Sequence, residues 1–216
     1  MSGALFGDTA TAPGLFVTVD GPNGSGKTSL IDAVSARLAA ERLVYCTRQP
    51  SPTTLGQMIR SSEREFRGRA LACLIAGDRH HQLETEIVPR LNDGAVVLCD
   101  RYIESSLVLQ RLDGVTIDEI LTINSGILRP DLRIRLLAQP DILRARLDSR
   151  PTDASRRFER APDAPERELA LYQDADRLLT DDYDLPATVY DTSMTHATEL
   201  AERVAFTITA HLAKQR

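Results

Sequence analysis

Lys27 and Thr28 close the stretch GPNGSGKT (Gly21–Thr28), with glycines at positions 21, 24 and 26. A G-x-x-x-x-G-K-T spacing suits the binding of a nucleoside triphosphate. Glycine lets successive backbone N–H groups converge on phosphate oxygens with no Cβ in the way, and a helix opening at the same point adds partial positive charge. In that geometry Gly21, Asn23, Gly24, Ser25, Gly26, Lys27, Thr28 and Ser29 form the cradle for ATP. Lys27 reaches the β and γ phosphates, and Thr28 offers its hydroxyl to Mg2+. The loop is specific for a phosphate donor and silent about what receives the phosphate.

A second chemistry-bearing stretch is VVLCDRYIESS (Val96–Ser106). Its apolar run ends in Asp100, which places an acid at the carboxyl edge of a sheet, where open α/β folds bind ligands. There Asp100 serves as the second-strand acid that holds Mg2+, directly or through water. A strand-terminal Asp otherwise forms a turn or caps a helix; beside the loop, the metal role is preferred. Arg101 next to it can reach an acceptor phosphate.

These residues need a scaffold, and the hydrophobic pattern supplies one. The short, apolar, β-branched run Leu15–Asp20 suits a strand buried on both faces, Ala95–Asp100 reads as another buried strand, and Leu43–Thr47, Leu132–Ala138 and Ala187–Asp191 read as three more strands. Helical periodicity fills the gaps at about 28–42, 67–92, 141–148, 165–181 and 195–214. Strands alternating with helices predict βαβ units, hence an α/β P-loop NTPase fold: a parallel five-stranded sheet with helices on both faces. Residues 1–13 read as a flexible leader and 14–216 as one P-loop domain. The polar stretch SRPTDASRRFERAPDAP (Ser149–Pro165) carries Arg150, Arg156, Arg157 and Arg160. A long polar insertion of this kind is a solvated loop or a lid, and its arginines favour a lid over polyphosphate, about residues 149–164.

Bulk properties narrow the function classes. A net charge of −5 argues against coating nucleic acid or a membrane surface. No apolar run approaches the ~20 residues that span a bilayer, and no signal peptide is evident in the first residues. Cys46, Cys73 and Cys99 are odd in number and form no C-x-x-C pair, which fits reduced thiols in a cytoplasmic protein. Lys27 and Lys214 are the only lysines among 26 basic residues.

With these motifs in view, the chain resembles the thymidylate kinase family of nucleoside monophosphate kinases. The loop is followed in order by TRQPSP (Thr47–Pro52), which is similar to a T-R-E-P-G turn. GDRHHQLETEIVPRLNDGAVVLCDRY (Gly77–Tyr102) and RPDLRIRLLAQPDILRARL (Arg129–Leu147) resemble later segments of that family, and RRFE (Arg156–Glu159) stands at its lid. The resemblance implies that Arg48, Arg79 and Arg101 hold the monophosphate of a nucleotide acceptor. It also implies that Lys27, Arg101 and the lid arginines, Arg150 and Arg157 first, act on the transferring group. Ser105 and Leu109 of SSLVLQ (Ser105–Gln110), with Ile75 and Asn23, fall against the acceptor. A homodimer face on the 67–92 helix is implied in the same way.

Three departures lie on the acceptor side. Ile75 stands where the family places a stacking Phe, Leu109 where it places a Tyr, and Asn23 where it places a loop acid. Stacking on a base is worth ~1–3 kcal/mol, so a changed or modified acceptor nucleotide competes with dTMP, which is preferred because the phosphate-binding arginines remain. A deoxynucleoside kinase needs a carboxylate for the hydroxyl proton; Gln49 occupies the usual place and Glu104 is the nearest acid. A catalytically silent nucleotide-binding regulator is the remaining alternative.

Overall fold

The computed structural model describes residues 4–7, 12–62, 65–149, 161 and 163–214. Five strands, β1 (Leu15–Asp20), β2 (Val44–Arg48), β3 (Val96–Asp100), β4 (Leu132–Leu137) and β5 (Ala187–Asp191), form one sheet in the order β2-β3-β1-β4-β5. Every pairing is parallel, as expected from strands separated by helices. β1 is central and buried at all six residues. Its alternate side chains serve two cores. Leu15, Val17 and Val19 pack with Leu30, Ile31 and Val34 of α1 (Lys27–Leu38) and with Leu200, Val204 and Ile208 of the C-terminal helix. Phe16 faces the opposite layer with Val97, Tyr102, Leu107 and Tyr172. Each apolar side chain fully buried in these layers contributes about 1.5–3 kcal/mol.

The remaining helices, in chain order, are α2 (Thr54–Ser61), α3 (Gly68–Gln82), α4 (Val88–Asn92), α5 (Ile103–Leu112), α6 (Ile117–Ile123), α7 (Pro140–Asp148), α8 (Ala164–Asp181) and α9 (Ala197–Lys214). The single helix expected at 67–92 is divided by a π-helical turn, Leu83–Ile87, between α3 and α4. Pro89 has no N–H to give to the carbonyl of Thr85, four residues back, and the widened turn absorbs that mismatch. α2, α5 and α6 lie where no helix was expected. α6 nevertheless carries a capping box, in which Thr116 and Glu119 satisfy each other's backbone N–H groups. The T-x-x-E signature of TIDE (Thr116–Glu119) announces it.

Residues 4–7, expected within a flexible leader, are anchored instead. Leu5 is 1% exposed in the core. Gly126 donates to the Ala4 carbonyl at 3.1 Å, Ile127 to that of Leu5 at 3.1 Å, and Gly7 to that of Ile127 at 3.0 Å. Leu5 enters the core and Phe6 packs partly buried against it. Most of the stretch expected as a lid, with Arg150 and Arg157, lies outside the described residues.

Parallel order puts the carboxyl ends of β1 and β3 side by side, Val19 being registered against Asp100. The chain also reverses its winding there, since β3 connects to β4 across β1. The two motifs therefore meet at the point where such sheets bind ligands.

Candidate active site

β1 delivers the chain into the loop Gly21–Gly26, and α1 starts at Lys27. Gly21 has φ 142°, and a Cβ there would lie 2.4 Å from the Leu136 carbonyl oxygen, so the loop crosses β4 only as glycine. The Lys27 ammonium folds back on the loop, donating to the carbonyls of Gly21 at 2.8 Å and Pro22 at 2.9 Å and lying 3.5 Å from Ser25 Oγ. Burial, and then the Arg101 charge, pull the Lys27 pKa down to about 7, against the carboxylates of Asp100, Glu168 and Asp20.

That shift has a consequence for binding. A polyphosphate favours the charged ammonium, so the protein must take up a proton on binding wherever unliganded Lys27 is neutral. ATP affinity is therefore expected to fall as pH rises above about 7. Calorimetric titration at pH 8 in buffers of different ionisation enthalpy should register net proton uptake, and a binding heat independent of buffer would contradict it.

Thr28 donates its hydroxyl to Asp100 Oδ2 at 3.0 Å, while Asp100 Oδ1 is buried with no hydrogen bond. A hydroxyl and a carboxylate oxygen left over beside a phosphate loop are oxygen donors of the kind Mg2+ takes, with substrate phosphates and water filling its octahedron. The residues fit the ion expected from the sequence.

Arg101 sits in a cage built by three elements, the loop after β1, α5 and α8. Its φ of 71° is left-handed, a conformation that costs a non-glycine residue energy and is held by its surroundings. Nη2 donates to Asn23 Oδ1 at 2.6 Å; Nη1 donates to Ser105 Oγ at 3.1 Å and to the Tyr172 hydroxyl at 3.3 Å. Below it, Asp20 Oδ1 accepts from Tyr102 N at 3.1 Å, Ser105 N at 3.0 Å and Ser105 Oγ at 2.6 Å, fixing the turn that follows β3. Burial works against the Arg101 charge, but Tyr172 and the carboxylates of Glu168, Asp100 and Asp20 outweigh it and hold the guanidinium more firmly protonated than usual.

Arg79, on α3, is 1% exposed. It donates to Gln49 Oε1 at 2.7 Å, to Ser106 Oγ at 2.7 Å, to the Tyr102 carbonyl at 3.2 Å and to Asn124 Oδ1, and lies 5.2 Å above the Tyr102 ring. Neighbouring Asp78 is buried and takes Ser51 N and Ser51 Oγ, each at 2.6 Å, which secures the turn after β2. Arg48 ends β2, exposed and in register with Asp100. Ile75 on α3 and Leu109 on α5 are half-buried, and Leu109 packs against the core. Ser29 is exposed on α1.

The fold thus joins Asn23, Ser105 and Arg101 in direct contact, and Thr28 with Asp100, beside Lys27. Arg79 stands behind them, sharing Tyr102 with the same turn. Asp20, Tyr172, Glu168 and Asn124 complete the site and were not singled out in the sequence. Asp20 carried a usable signal, being an acid that closes a buried strand just as Asp100 does. Glu168 and Tyr172 carried none, because their partners lie on other elements.

The sheet order and the loop after β1 define a P-loop phosphotransferase fold. A family profile described as Thymidylate kinase matches residues 19–176, and the chain belongs to that family. It is 37% identical over 148 residues to the thymidylate kinase of Staphylococcus haemolyticus (strain JCSC1435), covering 65% of this chain and 73% of the relative. It is 40% identical over 139 residues to the thymidylate kinase of Shouchella clausii (strain KSM-K16), covering 60% of this chain and 65% of the relative. Among the described residues, no helix is long and apolar enough to cross a membrane.

Proposed function

We propose that the chain transfers the γ-phosphate of ATP to dTMP, with Mg2+ as the accompanying ion. The observation that carries the reading is Arg101, a strained arginine caged by Asn23, Ser105 and Tyr172 directly beside the donor loop. Two anionic substrates repel each other, and phosphoryl transfer is catalysed mainly by positioning and charge neutralisation. Lys27 leaves the carbonyls of Gly21 and Pro22 to meet the donor's phosphates, while Arg101 holds the acceptor's phosphate in line. Arg48 reaches the same phosphate from β2, and Arg79 steadies the turn beneath it. Thr28 and Asp100 would hold Mg2+, which would supply neutralisation of the phosphates' charge. A monophosphate is already a nucleophilic anion, so no general base is required.

Two observations disfavour an unphosphorylated acceptor. Gln49 is committed to Arg79 and Gln82 as a neutral amide. Glu104 is 1% exposed and ion-paired with Arg133 and Arg135. A cytoplasmic homodimer belongs to the same reading, and sedimentation equilibrium tests its stoichiometry. The substrate is tested by turnover of dTMP, dUMP, dCMP, dGMP and dAMP. Phosphorylation of dTMP is expected to lead the panel; faster turnover of another monophosphate would replace dTMP as the acceptor.

A further inference from the structure

α8 carries Glu168, Tyr172 and Asp176 at four-residue intervals, the spacing that aligns side chains on one helix face. Each touches a different part of the site's wall. Asp176 pairs with Arg133 at 2.9 Å and Arg135 at 3.2 Å on β4. Tyr172 meets Arg101 at 3.3 Å and Ser105 at 3.0 Å. Glu168, only 6% exposed, receives the backbone N–H of Asn23 on its two carboxylate oxygens at 3.1 and 3.2 Å.

The middle of the phosphate loop is conformationally soft, because glycines occupy 21, 24 and 26. A carboxylate bonded to a backbone N–H is roughly twice as strong as a neutral pair, so Glu168 is a firm anchor where the loop most needs one. Asn23 passes the constraint on, its side-chain oxygen accepting from Arg101 at 2.6 Å. We propose that Glu168 is a positioning residue: it fixes Asn23, and through Asn23 the Arg101 guanidinium, in the orientation that receives the acceptor's phosphate. Glu168 and Tyr172 together make α8 the reference against which the acceptor-side arginine is set. Glu168 also reinforces the Arg101 charge from a second layer. The assignment of a phosphate to Arg101 rests on the function proposed above; the relay itself does not.

The test is steady-state kinetics on Glu168→Ala, Glu168→Gln, Asn23→Ala and the Glu168→Ala/Asn23→Ala pair, with dTMP and ATP varied separately. Glu168→Ala is expected to raise the KM for dTMP about ten-fold while leaving that for ATP within about two-fold. Glu168→Gln keeps a carbonyl for the Asn23 N–H and should recover most of the loss. Asn23→Ala cuts the relay downstream, so Glu168→Ala added to it should have much less than its effect in the parent, the remainder being the loss of its charge near Arg101. Additive effects, or equal rises in both KM values, overturn the relay. A second readout needs no turnover. In 15N-labelled protein, Glu168→Ala should move the Asn23 amide resonance and increase solvent exchange of the Arg101 side-chain N–H groups; an unchanged Arg101 overturns the proposal whatever the acceptor is. Absence of dTMP turnover in the unsubstituted protein, with the Arg101 shift present, sinks the substrate assignment and supports the relay.

Discussion

Lys27→Ala is expected to lower kcat by about two to three orders of magnitude, the cost of removing one preorganised charge aimed at a transition state. Lys27 is 7% exposed, and its ammonium hydrogen-bonds to the carbonyls of Gly21 and Pro22 in the loop. Losing it leaves two loop carbonyls without that donor and, on the proposed function, the polyphosphate without a cation of the loop. The fold should survive, because the core on that side is built from Leu30, Ile31 and Val34 and the strands beneath them. Lys27→Arg should not restore activity, since a planar fork cannot replace a compact ammonium in the space the glycines leave. Turnover at saturating ATP and dTMP, measured beside the melting temperature, checks this. A loss smaller than ten-fold with an unchanged melt would show that other groups carry the charge neutralisation.

The largest effect on stability is expected away from the phosphates. Arg133, 1% exposed on β4, lies 3.1 Å from Glu104 and 2.9 Å from Asp176, and donates to the Leu185 carbonyl. Arg133→Met strands the equally buried Glu104, leaving it only Arg135 at 3.7 Å. Breaking a buried pair from one side costs about 3–5 kcal/mol, a fall in melting temperature on the order of 10 °C for a domain of this size. Removing both charges, as Arg133→Met with Glu104→Leu, should recover most of it, because matched apolar side chains replace a buried pair with little loss. Calorimetry of the three proteins checks the pattern, and a single variant as stable as the parent would refute it.

The same cluster gives stability a pH dependence. The Glu104 oxygens face Arg133 without an aligned hydrogen bond, and burial pushes its carboxyl up from the ordinary 4.5 to about 7 against Arg133 and Arg135. A carboxyl raised in the folded state contributes most below its unfolded pKa and loses that contribution as pH rises through the folded one. Relative to Glu104→Gln, the parent protein should therefore lose stability between pH 4.5 and about 7. In Arg133→Met the decline should continue beyond that range.

All five strands were legible in the sequence as short runs rich in apolar and β-branched residues between helical stretches, although only the inner three are largely buried and β2 and β5 are edges. α5 was harder. Its buried side includes Glu104, Ser105, Ser106 and Gln110 beside Ile103, Leu107 and Val108, so polarity does not mark its outer face. The loop after β1 was legible because Gly21 to Thr28 is contiguous and its spacing alone suits a phosphate loop. The acceptor side was legible only as individual arginines. What orients them is non-local: Ser105 N and Asp20 are 85 residues apart, and Asn23 and Glu168 are 145 apart. No periodicity or spacing rule links such positions before the sheet brings them together.

The left-handed backbone at Arg101 places two demands on one residue. As a piece of chain, that position is better suited to glycine, which adopts the conformation without strain. As a piece of the proposed chemistry, it needs a guanidinium. Selection for folding alone and selection for turnover alone would choose different amino acids there. The site is therefore one where the protein is kept less stable than its own backbone allows, with the cage of Asn23, Ser105 and Tyr172 holding the compromise in place.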